Sequence, residues 1–206
     1  MGDILRTDEL ENAIDFLEKA AYHYNNKEDK YWFKWLMISL HGALYGFGVC
    51  AVKGTYTERV LEMKLGRKRF EQKRKETIEH FKKLGYEIED ESILDDIIEY
   101  NASDLLAIKK ILDCCQSETY MMQRSDSKIL KITDIQDEAI DKMIFYRNDF
   151  IHFKPRGLTV ITEGSDWIVK AVVDVIRFLA LESNNVNYFE EKNREKVKFI
   201  LEQFLK

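Results

Sequence analysis

A single proline, Pro155, is present among the 206 residues of this chain. Proline removes a backbone donor and clashes with the preceding helical turn, so its near absence leaves most of the chain free to form long helices. Glycine occurs only nine times, whereas Lys, Glu, Leu and Ile, which are compatible with long helices, are abundant. These features predict an all-α fold, and we expect a bundle of about five to six helices.

Two N-terminal segments show clear helical patterns. Apolar residues recur at helical spacing through residues 8–24, and Asp8 with Glu11 forms a capping pattern at the start. Residues 31–52 are apolar nearly all round, which is typical of a helix enclosed by others at the centre of a bundle. We therefore expect an amphipathic first helix and a buried second helix.

The second segment also has the length of a membrane span. Residues 35–52 include Gly42 and Gly46 at a spacing that favours close helix packing. His41 lies in the middle of this stretch, Lys34 lies just outside it, and no second span is found in the sequence. Burial within the protein is the favoured interpretation, with no membrane as partner. A small membrane-associated protein is the alternative.

The cysteines and the first residues of the chain indicate a cytoplasmic protein. The three cysteines are an odd number, and the adjacent pair Cys114 and Cys115 points to different sides of a helix, so no disulfide framework is expected. The third, Cys50, lies in the apolar segment. Residues 1–10 carry acids where a secretory signal would carry a basic and then an apolar region. A reducing cytosol fits both observations.

We expect one domain over residues 1–206, with a charged insertion at about 54–100 between the second and third core helices. Residues 64–83 carry nine basic residues, and residues 87–99 are acidic. A solvated helix whose charges pair with its acidic neighbour is the favoured interpretation. The net charge of −5 argues against bulk binding of nucleic acid, but a local RNA-binding patch is the alternative. That patch would include Arg67, Lys68 and Arg69.

The remaining segments are assigned by the same signals. A capping box at Thr133 and Gln136 opens a helix over residues 134–153, which Pro155 and Gly157 close. The other predictions are a helix from after Asn101 or Ser103 to Cys115, a polar loop at 116–128, a short extended segment at 157–164, a helix from Ser165 or Asp166 through 181, and a C-terminal helix within 186–206 introduced by Asn187.

The helix over residues 134–153 carries a cation where its spacing predicts burial. Its apolar stripe contains one charged member, Arg147, and otherwise reads Ile140, Met143, Ile144, Phe150 and Ile151. Because burying an unpaired charge is costly, Arg147 needs a partner. The candidates are an acidic residue, a subunit interface or a bound phosphate.

Two further polar groups accompany this arginine. Asn148 and His152 are four residues apart, which places them on one helix face at the edge of the stripe, where the long Arg147 side chain can reach them. His152 lies near the end of the helix, where the last carbonyls favour a protonated imidazolium. The three side chains suit a site with a general acid or base.

The sequence RNDFIH at residues 147–152 resembles the R-x4-H signature of HEPN ribonucleases, including the polar residue directly after the arginine. The chain resembles that family in three further features, namely the closing Pro155, the apolar helix that follows it and the helical pattern over residues 8–181. The resemblance implies a HEPN-like bundle that cleaves RNA without a metal or another cofactor. His152 would move the proton, Arg147 would neutralise charge in the transition state, and Asn148 would orient His152 or hold the phosphate.

The resemblance also implies a homodimer with a composite site at its interface. Transesterification benefits from both an acid and a base, each chain offers one well-placed histidine, and a two-fold dimer supplies two.

The family's toxins often carry a tyrosine two residues after the histidine, where this chain has Lys154, so control by tyrosine nucleotidylation is not expected. Lys154 and Arg156 are candidate RNA-binding residues, although a solvated Lys154 is the favoured interpretation.

The resemblance favours an RNA endonuclease that serves as a toxin or an anti-phage effector, with RNA, a second copy and a cognate antitoxin, inhibitor or sensor as partners. The alternative is a non-catalytic HEPN dimer that binds RNA, a nucleotide or a partner protein.

His41 is interpreted as a core residue, the alternative being that it borders the site. His23 and His80 are expected at the surface. The aromatic group Tyr31, Trp32, Phe33 and Trp35 is expected in the core and at the helix entry rather than as a base-stacking platform.

Overall fold

A computed structural model of the chain describes residues 7–63, 66–86, 91–152 and 157–205. These residues are mostly helical, which confirms the predicted all-α fold. They form two compact units, one made of the chain up to Gly54 together with Ile108 onwards, the other of Thr55–Ala107. The second unit contains most of the predicted insertion and continues to Ala107.

The helices, in chain order over the described residues, are α1 (Glu9–Asn25), α2 (Trp32–Lys53), α3 (Arg67–Lys83), α4 (Glu91–Ala102), α5 (Ile108–Cys115), α6 (Glu118–Met121), α7 (Asp134–Ile151), α8 (Asp166–Arg177) and α9 (Glu191–Glu202). Short 3-10 segments are found at Thr57–Val60 and Gln203–Leu205, and a π-helical segment, Phe178–Glu182, follows α8. Two three-residue strands, β1 (Leu61–Met63) and β2 (Ser103–Leu105), pair antiparallel, with Leu61 opposite Leu105.

Helices α1 and α2 pack closely because small residues face each other. The Asp8 carboxylate caps α1 by accepting a 2.7 Å hydrogen bond from the Glu11 backbone N–H, as the sequence predicts. A Cβ atom at Gly46 would lie 2.7 Å from the Cβ of Ala13, closer than real Cβ atoms approach. The sequence-based inference that Gly46 permits close helix approach is therefore confirmed.

Helix α2 is the central helix of the first unit. It packs against α1, α5, α7 and α8. Among the described helices it alone is long and apolar enough to cross a membrane, with a mean hydropathy of 1.5, and 61% of that apolar window is buried inside the protein. The burial of most of its residues is what the core-helix interpretation requires.

The region after α4 differs from its prediction. Ser103–Leu105 is strand β2 and not the start of a helix, because its backbone pairs with β1. Helix α5 begins only at Ile108, which places Ile111 and Leu112 in the core. The predicted polar loop at 116–128 contains the short helix α6, whose Met121 is fully buried. Strand pairing and burial of Met121 are long-range effects that local composition does not show.

Helix α7 begins as predicted. The Gln136 backbone N–H donates to Oγ1 of Thr133 at 3.3 Å, and the Thr133 N–H donates to Oε1 of Gln136 at 3.0 Å, which completes the capping box. The helix ends at Ile151, earlier than the predicted end at 153. His152 is the first residue beyond it, with an extended ψ of 97°. Pro155 lies outside the described residues.

The C-terminal helices begin close to the predicted positions. Helix α8 starts at Asp166, but the Ser165 hydroxyl donates to the Thr162 carbonyl at 2.7 Å and does not cap the helix. Residues 157–164 include no strand and are irregular. Helix α9 starts at Glu191, later than the prediction from Asn187, because side chains of the preceding segment bond elsewhere. Asn187 accepts a hydrogen bond from Arg124, and the Tyr188 hydroxyl donates to the Ala180 carbonyl at 3.1 Å.

An ion pair joins the two charged helices of the second compact unit. Nε of Arg74 in α3 lies 2.6 Å from Oδ1 of Asp95 in α4. Helix α3 buries none of its described side chains, whereas α4 buries Leu94 and Ile98. This pairing of a basic helix with its acidic neighbour agrees with the favoured interpretation of the segment.

Candidate functional site

Helix α7 becomes more exposed along its length. Ala139, Ile140 and Met143 are fully buried, and one turn later Arg147 is half-buried. Arg147 therefore continues the buried stripe, as its spacing predicts, but it does so where the helix comes to the surface. A half-buried guanidinium combines a reduced exposure to water with access for a ligand.

Asn148 holds the guanidinium of Arg147 in place. Nη1 of Arg147 donates a 2.9 Å hydrogen bond to Oδ1 of Asn148, and this pair is partly buried. Within the described part of the chain, no carboxylate forms an ion pair with Arg147. Because the amide oxygen is neutral, the positive charge of Arg147 remains available to an anion.

His152 lies at the open end of the same helix. Its backbone N–H donates to the carbonyl oxygen of Asn148 at 2.9 Å, and its imidazole is exposed. The prediction placed His152 inside the last helical turn, but it is the residue that follows α7. The structure thus brings Arg147 and Asn148 into side-chain contact and links His152 to them through the backbone.

His41 of α2 is predicted as a core residue, with a position that borders the site as the alternative. It is half-buried, and its ring centroid lies 6.0 Å from that of Tyr45 in an edge-on arrangement. Burial, together with the nearby charge of Arg147, lowers the pKa of His41 to about 4. His41 is therefore neutral at physiological pH and close enough to Arg147 to respond to its charge. The alternative that His41 borders the site agrees with this arrangement better than a sealed core position does.

A helical stripe in the sequence could have revealed this placement. Lys34, Ile38, His41 and Tyr45 recur at helical spacing, and all four are half-buried in a helix whose other faces are mostly buried. The polar members of an otherwise apolar helix mark the face that reaches the surface. The sequence alone does not show that His41 lies within reach of the charge of Arg147 on α7.

Aromatic side chains surround the C-terminal half of α7. The buried ring of Phe33 lies 5.2 Å from Tyr146 and 6.3 Å from Phe150, edge-on in both cases. The prediction of core and helix entry agrees with these positions, because Phe33 is buried, Tyr31 is the residue that precedes α2 and Trp35 lies in its first turn. Tyr31 and Trp35 are 55% and 44% exposed.

Phe145 presents a large apolar group at the surface of α7. Its side chain is 56% exposed. Phe145, Asn148 and His152 follow one another at spacings of three and four residues, so the first two share a helix face that leads to His152. The exposed ring therefore lies about one helical turn from the polar site.

The other predicted site residues belong to the second compact unit or lie outside the described residues. Arg67, Lys68 and Arg69 are exposed on α3, in the second compact unit. Arg67 lies 4.0 Å from Glu71 on the same helix. Lys154 and Arg156 lie outside the described residues. His80 is exposed as predicted, whereas His23 is half-buried against the prediction, because its ring packs beside Tyr22.

The described residues show neither a cluster of metal ligands nor an activated thiol at Cys50. The described ranges hold no group of three or more His, Cys, Asp or Glu side chains that could bind a metal ion. The cysteines are free, and burial, reinforced by the charge of Glu9, raises the pKa of Cys50 to about 12. That thiol is therefore not a nucleophile at neutral pH.

No family model matches this chain, and no curated protein and no solved structure matches it. The resemblance to HEPN ribonucleases therefore rests on residues 147–152 and on the helical context described above.

Proposed function

We propose that this protein is a metal-independent RNA endonuclease of the HEPN type that acts as a toxin or anti-phage effector. One observation carries the proposal. The half-buried guanidinium of Arg147 is held by a neutral partner, Asn148, about one helical turn before His152, whose imidazole is exposed. A cation that keeps its charge, on the same helix end as a group able to transfer protons, suits a phosphodiester.

The proposed reaction is an internal transesterification of RNA. The ribose 2′-hydroxyl attacks the adjacent phosphorus, the bond to the 5′ oxygen breaks, and the products carry a cyclic phosphate and a free 5′-hydroxyl. Arg147 stabilises the charge that accumulates on the phosphorus oxygens, and Asn148 fixes the direction of the guanidinium. His152 transfers a proton, which its exposed position after the helix permits.

We further propose a homodimer in which the α7 surface forms part of the interface. Phe145 supports this, because an exposed aromatic side chain is a typical anchor of a protein interface. A two-fold axis near this helix would bring Arg147 and His152 of both copies into one cleft. A cognate antitoxin, inhibitor or sensor would then have this cleft as its target.

A cytoplasmic location belongs to the same proposal, since RNA is the substrate. The burial of most of α2 within the bundle supports it. Recovery of the expressed protein in the soluble fraction without detergent is the expected result. Recovery only in the membrane fraction would favour the alternative of a membrane-associated protein.

A non-catalytic anion-binding dimer is the second candidate. This candidate is supported by a difference between the two side chains. Arg147 donates a hydrogen bond to Asn148, whereas no described side chain forms a hydrogen bond with the imidazole of His152. Such a site could bind the phosphate of RNA or of a nucleotide without cleaving it. A partner protein with an acidic surface is a further candidate ligand, because its carboxylates are negatively charged like a phosphate.

Incubation of the purified protein with total RNA distinguishes the two candidates. The nuclease cleaves in the presence of EDTA, and His152→Ala abolishes cleavage while His80→Ala, an exposed histidine of the second unit, retains it. Both variants should keep the helical circular dichroism of the wild type. Binding without cleavage by the wild type supports the second candidate, and EDTA-sensitive cleavage contradicts the proposed mechanism.

A further inference from the structure

A cavity of about 360 Å³ lies between α1 and α2 in the first compact unit. Its volume is within the range of sites that bind small molecules, and the two helices that form its walls pack closely against each other. Its lining combines aromatic, uncharged polar and charged side chains. Arg147, Asn148 and His152 are not among them, so the cavity is separate from the proposed cleavage site.

Two aromatic rings give the cavity its apolar surface. Phe16 of α1 lies directly against the backbone of α2, because a Cβ atom added at Gly42 would be 2.5 Å from atoms of its ring. Trp35 of α2 is 44% exposed, and Nζ of Lys34 lies 4.9 Å from the centroid of its ring. Phe16 and Trp35 thus offer large aromatic surfaces to a planar ligand.

A buried hydroxyl in the cavity lacks a partner. Ser39 lines the cavity and is only 5% exposed. Hydroxyl groups in helices often donate to the carbonyl four residues earlier, as Thr77 does to Lys73 at 2.8 Å. The Ser39 hydroxyl forms no hydrogen bond with any described residue. Because a buried polar group without a partner is costly, this hydroxyl is available to a ligand.

The imidazole of His23 is a second polar group of the cavity lining. Its Nδ1 atom is buried and has no hydrogen-bond partner in the described part of the chain. Burial lowers the pKa of His23, Asp29 opposes this effect and Lys19 adds to it, so the ring is neutral at neutral pH. A neutral imidazole has one donor and one acceptor, and rotation of the ring toward the cavity would give Nδ1 a partner on a ligand.

The charged groups of the lining disfavour an anion. Asp15 and Asp29 bring two carboxylates to the cavity, whereas Lys19 brings one ammonium group. Asp15 and Lys19 form no ion pair with a described residue, and Asp29 accepts a 2.8 Å hydrogen bond from the Tyr31 backbone N–H. One negative charge is therefore in excess, which repels a phosphate group.

We infer that this cavity binds a nucleobase without a phosphate, as the free base or as a nucleoside. A nucleobase is planar and stacks on Phe16 and Trp35. Its edge carries donors and acceptors that pair with Ser39 and His23. It is uncharged, as the excess of carboxylate requires. This inference goes beyond the proposed RNA cleavage and does not depend on it.

Isothermal titration calorimetry of the wild-type protein tests the inference with adenosine, guanosine, cytidine and uridine, their free bases and their 5′-monophosphates. We expect saturable binding of at least one nucleoside or base, with an affinity about tenfold lower for the matching monophosphate. Comparison of the base with its nucleoside shows which of the two is the ligand. RNA cleavage is not measured, so the proposed function is tested separately.

Two variants assign the binding to this cavity. Trp35→Ala removes a stacking surface and lowers the affinity at least about tenfold, and Ser39→Ala removes one hydrogen bond and lowers it about threefold to tenfold. Trp167→Ala is the matched control and keeps the wild-type affinity. Trp167 is a partly exposed tryptophan of α8 with Nζ of Lys142 5.3 Å from its ring centroid, but it does not line the cavity.

Asp15→Asn tests the charge argument, because it removes a carboxylate and leaves both rings in place. The difference in affinity between a nucleoside and its monophosphate should shrink by about threefold or more. An unchanged difference, or a monophosphate that binds the wild type more tightly than its nucleoside, overturns the inference.

Three further results overturn it. The first is the absence of saturable binding of every base and nucleoside at millimolar concentrations. The second is wild-type affinity in both Trp35→Ala and Ser39→Ala, which would place the ligand elsewhere. The third is saturable binding of free arginine but of no base, which would make the cavity a site for an organic cation.

Should Trp35→Ala not fold, NMR of the wild-type protein provides the test. Addition of the nucleoside that binds shifts the indole N–H resonance of Trp35 and leaves that of Trp167 unchanged. An unshifted Trp35 resonance at saturating nucleoside overturns the inference.

Discussion

Arg147 donates its 2.9 Å hydrogen bond to the side-chain oxygen of Asn148, the next residue on α7. The acceptor is an amide and carries no charge. The bond therefore directs the guanidinium without neutralising it, and a carboxylate in the same place would have neutralised it. The residue at position 148 thus decides whether the charge of Arg147 is neutralised by its neighbour on α7.

Replacing Asn148 with aspartate should weaken RNA binding more than replacing it with alanine. The carboxylate of Asn148→Asp pairs with Arg147 and repels phosphate, whereas Asn148→Ala releases the guanidinium but leaves its charge. We expect an affinity about tenfold lower for the aspartate variant than for the alanine variant. Fluorescence anisotropy with an RNA that carries no 2′-hydroxyl at the cleavage position measures the difference. Equal affinities of the two variants would contradict an anion site at Arg147.

The sequence predicts local features of this region and misses those made by packing. The capping box of Thr133 and Gln136 and the placement of Arg147 after Met143 depend on spacing within one helix, which the sequence displays. The position of His41 depends on α2 packing against α7, which no local pattern encodes. Strand β2 was missed for the same reason, since its partner lies far away in the sequence.

Replacement of Phe145 with aspartate should dissociate the proposed homodimer. A charge in place of an exposed aromatic anchor raises the dissociation constant of the dimer by about 30-fold or more, the effect expected of a hot-spot residue. Phe199→Asp is the control, since Phe199 is 65% exposed on α9. Analytical ultracentrifugation over a range of concentrations should show monomers for the first variant and dimers for the second. A wild-type protein that is monomeric at every concentration contradicts the dimer.

Gly46→Ala should destabilise the first unit although alanine favours helices. The added methyl would lie 2.7 Å from the Cβ and 3.1 Å from the Cα of Ala13, and backbone atoms do not move aside easily. The clash outweighs the gain in helix propensity, and we expect a net loss of about 1–2 kcal/mol in the free energy of unfolding. Urea unfolding followed by circular dichroism measures it.

Gly157→Ala is the control for that measurement, because a Cβ there meets nothing within 4 Å. Its free energy of unfolding should change by less than about 0.5 kcal/mol. A Gly46→Ala protein as stable as Gly157→Ala would show that α1 and α2 can separate without cost.

The buried, neutral state of His41 should make stability depend on pH in a defined direction. Its pKa is about 4 in the folded chain and has the ordinary value of 6.5 when the chain unfolds. Between these values the unfolded state binds a proton that the folded state does not, so protonation favours unfolding. The free energy of unfolding therefore falls as the pH decreases from 6.5 to about 4, by at most about 3 kcal/mol from this group.

Comparison with His41→Gln isolates this contribution, because every other titrating group is present in both proteins. The stability of the wild type minus that of the variant should decrease as the pH is lowered from 7 to 4.5, and chemical unfolding at several pH values measures it. Parallel pH profiles would mean that His41 titrates alike in the folded and unfolded states. Its imidazole would then be solvated, and the Arg147 charge would have no effect on it.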